Sequence, residues 1–258
     1  MIFSSSVPGS SHIAIGKECQ DRSLCYSDPI TGLTVAIVSD GHGGEAYTHS
    51  ARGATLACQC TVEVIKECLL GSNAGQRPII WRTFFTALYT RWRNAVEADI
   101  EHGGDTSLTI KAYGCTLLCY LQLVPPDHGR PALWAAFQIG DSRCCFFDND
   151  AHWHQPIPWD DRCFFNYTTS LCDYAPIPEF RYCCGTLDDM PHAVFLGSDG
   201  IDGTFGCENL LYNFYQHLYD EALVIGESQV VQQLPNVLTH YSEVGSHDDM
   251  SVAAVINL

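Results

Sequence analysis

The segment VAIVSDGHGGEAY, residues 35–47, decides which fold and which chemistry this chain can support. Its β-branched apolar run at 35–38 predicts a strand that is buried on both faces. Asp40 stands where this strand ends, and the glycines that follow allow a sharp turn or a close backbone approach. A tight turn does not require an acid and a histidine together, so we expect Asp40 and His42 to hold a ligand.

Acidic residues stand at the ends of several other apolar runs. These β-rich runs predict strands at 33–39, 114–124, 132–139, 142–148, 193–198 and 250–256. The further acids are Asp21 before a candidate strand, Asp141, Asp199 and Asp248. One Asp at a strand end usually makes a turn or caps a helix, whereas strands gathered into one sheet would bring several such acids together.

Converging carboxylates imply a metal-assisted reaction. They repel one another unless they are protonated or share cations, and hard divalent ions such as Mg²⁺ or Mn²⁺ prefer oxygen ligands. Two such ions about 4 Å apart can hold a hydroxide and neutralise a phosphoryl group. A neighbouring His42 can protonate a leaving oxygen near neutral pH. The pattern therefore favours phosphoester hydrolysis by metal-activated water, and no G-x-S-x-G or P-loop signature competes with it.

Helical patterns occupy separate parts of the chain. One apolar stripe recurs every four residues and comprises Ile80, Phe84, Leu88, Trp92 and Val96. Helices are also predicted at about 45–69, around 210–218 and at 227–242, the last kinked or split at Pro235. Grouped strands with helices in separate runs favour an α+β layered sandwich.

We expect one domain over 1–258, interrupted by an irregular flap-like segment at about 149–192. No internal repeat and no linker-like stretch divides the chain. The segment is rich in proline and aromatic residues. These aromatic residues form either a substrate-facing surface or a cover over the sheet; they are Trp153, Trp159, Phe164, Phe165 and Tyr167.

Composition excludes several classes of protein. The chain has 30 acidic against 13 basic residues, a net charge of −17, which opposes nucleic-acid binding. No run of about 18 apolar residues predicts a membrane span, and the first residues do not resemble a secretory signal. The 14 cysteines contain no C-x-x-C pair, and many lie in apolar runs. We therefore expect reduced, mostly buried thiols in a cytoplasmic protein.

Five motifs carry a resemblance to a known family. In chain order they are SDGHGG (39–44), GCTL (114–117), IGDSR (139–143), GSDGI (197–201) and HDDMSV (247–252). Together they resemble the metal-dependent protein phosphatases of type 2C, and SHIAIGKECQD (11–21) resembles the first motif of a bacterial-type branch. The resemblance spans roughly 10–256. It implies an α/β/β/α sandwich of two packed antiparallel β-sheets flanked by helices, with a binuclear metal centre between the sheet edges.

The resemblance also implies a role for individual residues. Asp40 matches the acid that bridges two Mn²⁺ or Mg²⁺ ions, and the Gly41 carbonyl matches a further ligand. His42 matches the general acid. The remaining matched acids are Asp199 and Asp248, which complete one metal shell, Asp21, which acts directly or through water, and Asp141, which is associated with a weaker third ion in many members.

The chain departs from the family at three places. An Arg usually precedes the first acid to bind phosphate, and here Lys17 is the only nearby cation before Asp21, with Arg22 and His12 as other candidates. Asp202 stands where relatives place a Trp followed by an acid, which weakens the match for the third ion. Asp249 stands where relatives often carry Asn.

The implied function is a metal-dependent serine/threonine protein phosphatase. Its partners would be phosphoserine and phosphothreonine proteins and a cognate kinase, with no nucleic acid and no membrane. One alternative is a weak or inactive pseudophosphatase that binds phosphoproteins or a regulator, for which the missing Arg leaves room. Another is a two-metal phosphoesterase that acts on small molecules.

Overall fold

All six apolar runs predicted as strands form strands in the computed structural model, which describes residues 1–71, 79–105, 107–126, 131–163 and 167–257. Further strands arise from less apolar sequence, such as the serine-rich first strand, which the periodicity did not reveal. The strands of the described residues are β1 Ile2–Val7, β2 Arg22–Asp28, β3 Leu33–Ser39, β4 Leu117–Leu123, β5 Leu133–Ile139, β6 Arg143–Phe147, β7 Trp153–His154, β8 Arg181–Thr186, β9 Ala193–Gly197 and β10 Met250–Ile256.

These strands form two five-stranded sheets in which all neighbours are antiparallel. The first sheet has the order β1-β10-β9-β6-β7, and the second has the order β2-β3-β4-β5-β8. The segment 149–192 contributes one edge strand to each sheet, β7 and β8. It therefore contains two short strands besides its irregular parts.

The helices follow the apolar stripes, with two corrections. They are α1 Ser10–Ile15, α2 Ser50–Leu70, α3 Trp81–Gly103, α4 Asp199–Phe205, α5 Glu208–Ile225 and α6 Glu227–Val244. The helix predicted from about 45 begins at Ser50, because residues 44–49 form turns that are held by Tyr47 N–H to Gly44 and His49 N–H to Ala112. The predicted split at Pro235 is wrong, since α6 continues through this residue.

Three apolar layers hold the elements together. Helices α2 and α3 pack on β3 and its neighbours through residues such as Leu88 and Trp92. Helices α4, α5 and α6 cover the other sheet through residues such as Phe214 and Leu238. Between the sheets lies a third layer that includes Val38, Tyr120 and Val194. Each fully buried large apolar side chain contributes roughly 1.5–3 kcal/mol. The predicted four-layer α/β/β/α sandwich is confirmed.

The thiols were expected to be mostly buried, and the structure buries half of them. All 14 cysteines are free, and seven of them are buried. Within the described ranges, no helix combines the length and apolar character that a membrane crossing needs. Phe164 and Phe165, two of the aromatic residues noted above, lie outside the described residues.

Candidate metal centre and catalytic pocket

Strand register brings the first pair of predicted ligands together. In the antiparallel pair of β2 and β3, Arg22 stands opposite Ser39. Asp21 immediately precedes Arg22, and Asp40 immediately follows Ser39. Both residues therefore lie at the same end of the sheet. Two hydrogen bonds join Asp40 to Thr116 of the GCTL motif. The Asp40 N–H donates to Thr116 Oγ1 at 3.0 Å, and the Thr116 N–H donates to the Asp40 carbonyl at 2.8 Å.

The other sheet brings a second pair to the same place. Gly197 at the end of β9 stands opposite Val252 near the start of β10. Asp199 comes just after β9, and Asp248 comes just before β10. Both residues therefore lie at the same end of the first sheet. Ser198 joins the two ends, because its hydroxyl accepts the Ser251 N–H at 3.0 Å. The two sheets are packed face to face, and three of these four acids, Asp40, Asp199 and Asp248, line one pocket.

This pocket has a volume of about 510 Å³. Most of the predicted site residues line it: Asp40, Gly41, His42, Asp141, Asp199 and Asp248. Asp21 is outside the lining, because it is only 1% exposed and lies beneath the surface. Lys17 is outside the lining as well, whereas His12 is part of it.

The acids of the pocket oppose one another's ionisation. Burial, together with the charges of Asp199 and Asp21, raises the pKa of Asp40 well above its usual range. Burial is also the largest cause for Asp21, reinforced by the charges of Asp249, Asp199 and Asp248. Asp40 and Asp199 also affect each other's ionisation. Neighbouring carboxylates repel unless they share a proton or cations supply the compensating charge.

Asp199 lies at the open side of the pocket, and its side chain is accessible to solvent. Surrounding protein atoms nevertheless displace much of the water around its carboxyl group. This desolvation, with the charges of Asp141 and Asp248, raises the pKa of Asp199 to about 6. Burial likewise raises the pKa of Asp141, although a hydrogen bond from Thr168 opposes this effect.

The donor set fits hard divalent cations. Among the described residues, Asp21 Oδ2 is buried and has no hydrogen-bond partner, which is costly unless a cation or its water is close by. The other donors are carboxylate oxygens and the Gly41 carbonyl, the ligand types that Mg²⁺ and Mn²⁺ prefer. A Cβ at Gly41 would lie 2.6 Å from the Gln20 carbonyl oxygen, so only glycine lets this backbone approach so closely.

His42 is held in a fixed orientation at the side of the pocket. Its Nε2 lies 2.7 Å from Ser170 Oγ, and its ring makes an edge contact with Tyr47. The Ser170 hydroxyl donates its proton to the Cys115 carbonyl at 3.1 Å, so it accepts from His42 Nε2–H. Burial lowers the pKa of His42 to about 4. The imidazole is therefore neutral near pH 7, with Nδ1 as the nitrogen that still has a free lone pair.

Glycine at position 114 leaves space for this histidine. A Cβ there would lie 2.8 Å from His42 Cδ2 and 2.8 Å from Cys172 Sγ. The Gly114 carbonyl also accepts the His42 N–H at 3.1 Å. The GCTL motif thus contacts the SDGHGG motif at two residues, Asp40 through Thr116 and His42 through Gly114.

The phosphate-binding candidates lie beside the pocket. Lys17 Nζ is 3.4 Å from the Gly43 carbonyl and 3.4 Å from His12 Nε2. His12 Nδ1 in turn lies 2.8 Å from Asp249. Arg22 is directed elsewhere, since its guanidinium donates to the backbone carbonyls of Cys19 and Asp21.

Several contacts of the site have no clear signal in the sequence. Asp249 is buried, and its carboxylate accepts the Gly9 N–H at 2.7 Å and the Gln20 N–H at 2.6 Å, which ties both termini to the site. In the sequence, only the position of Asp249 beside Asp248 in the HDD triplet indicated that it belongs to the site. Ser170 lies in the aperiodic segment, where no pattern marks it. Asp202 does not line the pocket and pairs with Arg143 at 3.1 Å.

The aromatic residues of the flap-like segment divide between two environments. Tyr167 lines the pocket. Trp153 packs into the core against Phe195, and Trp159 lies under the Arg143 guanidinium at 3.9 Å from the ring centroid. One of the three described residues therefore faces the site, and two pack elsewhere.

The four-layer fold and its carboxylate-lined pocket define a candidate metal-dependent hydrolase. A family model described as Protein phosphatase 2C matches residues 8–239. The chain therefore belongs to the protein phosphatase 2C family, and family and fold together support a metal-dependent phosphatase. Curated proteins gave no match to this chain.

Solved structures share the fold at low identity. The photosystem II phosphatase PBCP is 12% identical, with a TM-score of 0.60, and the alignment covers 100% of this chain and 98% of that one. A sex determining protein of C. elegans is 19% identical, with a TM-score of 0.59, over 98% of this chain and 64% of that one. A phosphatase from Toxoplasma gondii is 14% identical, with a TM-score of 0.53, over 97% and 90%. This chain thus spans less than two thirds of the C. elegans protein.

Proposed function

We propose that this chain is a metal-dependent serine/threonine protein phosphatase that uses two Mn²⁺ or Mg²⁺ ions. The observation that carries the proposal is the convergence of strand-end acids from both sheets: Asp40, Asp199 and Asp248 line one pocket, and Asp21 is buried next to Asp40. Their mutual repulsion and the unpartnered Asp21 Oδ2 are the signature of a site built for cations.

Each ligand has a place in this proposal. Asp40 and the Gly41 carbonyl would hold the two ions, and Asp199 and Asp248 would complete the shell of one of them. Asp21 would act directly or through water, and Asp141 would hold a weaker third ion. When bound, the ions supply the charge that activates a water and neutralises the phosphoryl group.

His42 is proposed to deliver a proton to the departing oxygen of the serine or threonine. Ser170 keeps the ring in place through Nε2, so Nδ1 is the nitrogen that exchanges a proton with the substrate. Burial disfavours the charged imidazolium, but the dianionic phosphate of a bound ester favours it. Protonation of His42 would then depend on occupancy of the pocket by substrate.

Lys17 is proposed to bind the substrate phosphate in place of the usual Arg. Its ammonium lies beside Gly43 at the rim of the pocket, and its flexible stem allows the charge to approach a bound anion. His12, which lines the pocket next to Lys17, is the second candidate.

The proposed partners are phosphoserine and phosphothreonine proteins and the kinase that modifies them. The 14 free cysteines support a location in the reducing cytoplasm. An inactive phosphoprotein-binding member is not favoured, because Asp21, Asp40, Asp199, Asp248 and His42 are all present. A small-molecule phosphoesterase remains the alternative that a substrate comparison would reveal.

The deciding experiment is steady-state hydrolysis of a phosphothreonine peptide with and without Mn²⁺. We expect turnover only with metal, and loss of turnover in Asp199→Ala. Asp220→Ala, which removes an exposed acid on α5, is the control and should behave as wild type. No turnover by folded, metal-loaded wild type would contradict the proposal. Turnover of nucleotides or sugar phosphates in preference to the peptide would favour the small-molecule alternative.

A further inference from the structure

A second concave surface lies outside the catalytic pocket. This aromatic groove has a volume of about 670 Å³. Helix α3 supplies one set of rings, and the segment that leads into β8 supplies the other. The rings are Trp81, Phe85 and Tyr89 on the helix, and Tyr174, Phe180 and Tyr182 opposite. Phe85 and Phe180 belong to the core at the base of the groove, whereas Tyr174 and Tyr182 are exposed.

Several of these rings are available to a ligand. Tyr174 is fully exposed and Tyr182 is 44% exposed, while Trp81 and Tyr182 contact each other with centroids 4.8 Å apart. The indole N–H of Trp81 and the hydroxyl of Tyr174 are hydrogen-bond donors in the groove lining. A surface of ring faces with such donors suits a ligand that offers both apolar side chains and backbone carbonyls.

Charge distinguishes the aromatic groove from the rest of the protein. Arg82 is the only lining residue that is charged at neutral pH, although the whole chain has a net charge of −17. The groove is thus a neutral to positive surface on an acidic molecule. It would attract an apolar segment that carries an acidic residue and would not select a basic one.

The aromatic groove adjoins the catalytic pocket. Asp173 lines the pocket, and the next residue, Tyr174, lines the groove. Consecutive Cα atoms are about 3.8 Å apart, so one polypeptide segment forms part of both walls. A peptide whose phosphorylated residue enters the pocket would place its neighbouring residues at the groove.

We infer that the aromatic groove binds an extended, proline-containing segment of the phosphoprotein substrate, with an acidic residue of that segment at Arg82. This inference rests on the proposed phosphatase function. Proline-rich segments are preformed in an extended conformation and dock between aromatic rings that donate hydrogen bonds to their carbonyls. The groove therefore selects among substrates by the sequence that flanks the phosphorylated residue.

Two phosphothreonine peptides of equal length test the inference by kinetics. One carries proline, leucine and glutamate on one side of the phosphothreonine, and the other carries serine and glycine there; each is made with the extension on either side. For wild type we expect a lower KM for one proline-containing peptide. The variant Arg82→Glu/Tyr174→Ala should raise that KM by about tenfold and leave its kcat unchanged.

Two controls separate this effect from damage to the enzyme. An aryl phosphate is too small to reach the groove, so its hydrolysis should be equal in wild type and variant. Arg93→Glu/Leu210→Ala alters an exposed arginine on α3 and an exposed apolar residue on α5, both outside the groove lining. This control should keep the wild-type KM for both peptides.

Binding of the unphosphorylated proline-containing peptide tests the aromatic groove without catalysis. We expect fluorescence anisotropy of the labelled peptide to report binding by wild type and weaker binding by Arg82→Glu/Tyr174→Ala. If wild type hydrolyses no phosphate ester, the proposed function fails while this binding result still decides the groove.

Three outcomes would overturn the inference. They are equal KM values for the two peptides, peptide binding that the variant does not weaken, and a concentration-dependent dimer that Tyr174→Ala abolishes. The last outcome would assign the aromatic groove to a second copy of the chain.

Discussion

At the residue scale, the pocket places like charges where they destabilise the metal-free protein. Burial and the charges of neighbouring carboxylates disfavour the ionised form of both Asp40 and Asp199. The native state gains nothing from this arrangement by itself. The proposed metal ions would relieve this repulsion.

Replacing Asp199 with Asn should therefore stabilise the metal-free protein at pH 7.5, by about 1 kcal/mol after screening by solvent. The folded pKa of Asp199, about 6, lies above its unfolded value of 3.8. The destabilisation thus develops as pH rises through this interval and is complete above it. Urea denaturation at pH 7.5 and pH 4 measures the difference, which should shrink at the lower pH.

The same variant should lose its response to metal. Mn²⁺ is expected to raise the melting temperature of wild type at pH 7.5, and to raise it less at pH 5, where protons compete for the carboxylates. Asp199→Asn should show little increase at either pH. A metal-free variant that melts below wild type at pH 7.5 would show that Asp199 stabilises the fold instead.

A different test applies to His42, whose proposed role is proton delivery. His42→Ala should slow hydrolysis of the phosphothreonine peptide by about a hundredfold. It should slow an aryl phosphate much less, because a phenolate leaves without protonation. Ser170→Ala should show the same preference in a weaker form, since the ring loses its partner at Nε2.

Thr239→Ala is the control for the loss of a hydroxyl hydrogen bond, here one within α6. It should leave both rates unchanged. Equal slowing of the peptide and the aryl phosphate in His42→Ala would exclude general-acid catalysis by this residue.

At the scale of single elements, α6 shows how packing overrides local preference. Pro235 lies inside this helix and cannot donate a backbone hydrogen bond. The helix nevertheless continues, because Val230, Leu234 and Leu238 are buried against the sheet and α5 on both sides of the proline. Burial of these side chains outweighs the lost bond.

Pro235→Ala should accordingly stabilise the protein. Restoring the bond and removing the steric conflict favour the variant by up to about 3 kcal/mol, and the greater freedom of its unfolded chain offsets about 1 kcal/mol of this. We expect a net gain of about 1–2 kcal/mol in urea denaturation. Asn236→Ala, at the adjacent exposed position, should change stability by less than about 0.5 kcal/mol. A lower midpoint for Pro235→Ala would mean that α6 is shaped by the proline.

At the scale of the whole molecule, the layers bury half of the thiols. Burial raises the pKa of Cys60 to about 11 and that of Cys58 to about 12. Cys119 lies in β4 of the second sheet and Cys115 lies just before this strand. Both are fully buried in the core that includes α2. Such thiols are both inaccessible and unionised at pH 8.

Alkylation of the native protein at pH 8 should therefore modify only some of the cysteines, which mass spectrometry then identifies. The three exposed cysteines, Cys68, Cys184 and Cys207, are expected to react first, and all 14 after denaturation. Cys184→Ser should lower the native count by one. Rapid labelling of Cys115 or Cys119 in the native protein would contradict the four-layer packing.

Local patterns in the sequence predicted much of this structure. The apolar runs of β3 and β9 and the stripe of α3 are visible because strand and helix periods are properties of neighbouring residues. The strand-end acids could be identified in the same way, and antiparallel register then explains why Asp21 meets Asp40. The start of α2 was misplaced, because its glycine-rich turn extends to His49.

Contacts between distant parts of the chain could not be predicted in this way. His42 and Ser170 are 128 positions apart, and Gly9 and Asp249 are 240 apart. A single hydrogen bond has no period, so nothing along the chain marks its two partners before they meet. The aromatic groove is similar, since Trp81 and Tyr182 become neighbours only when α3 packs against the second sheet. Local periodicity thus establishes the elements and their acids, while packing alone decides which polar groups orient the histidine and which surface remains open to a substrate.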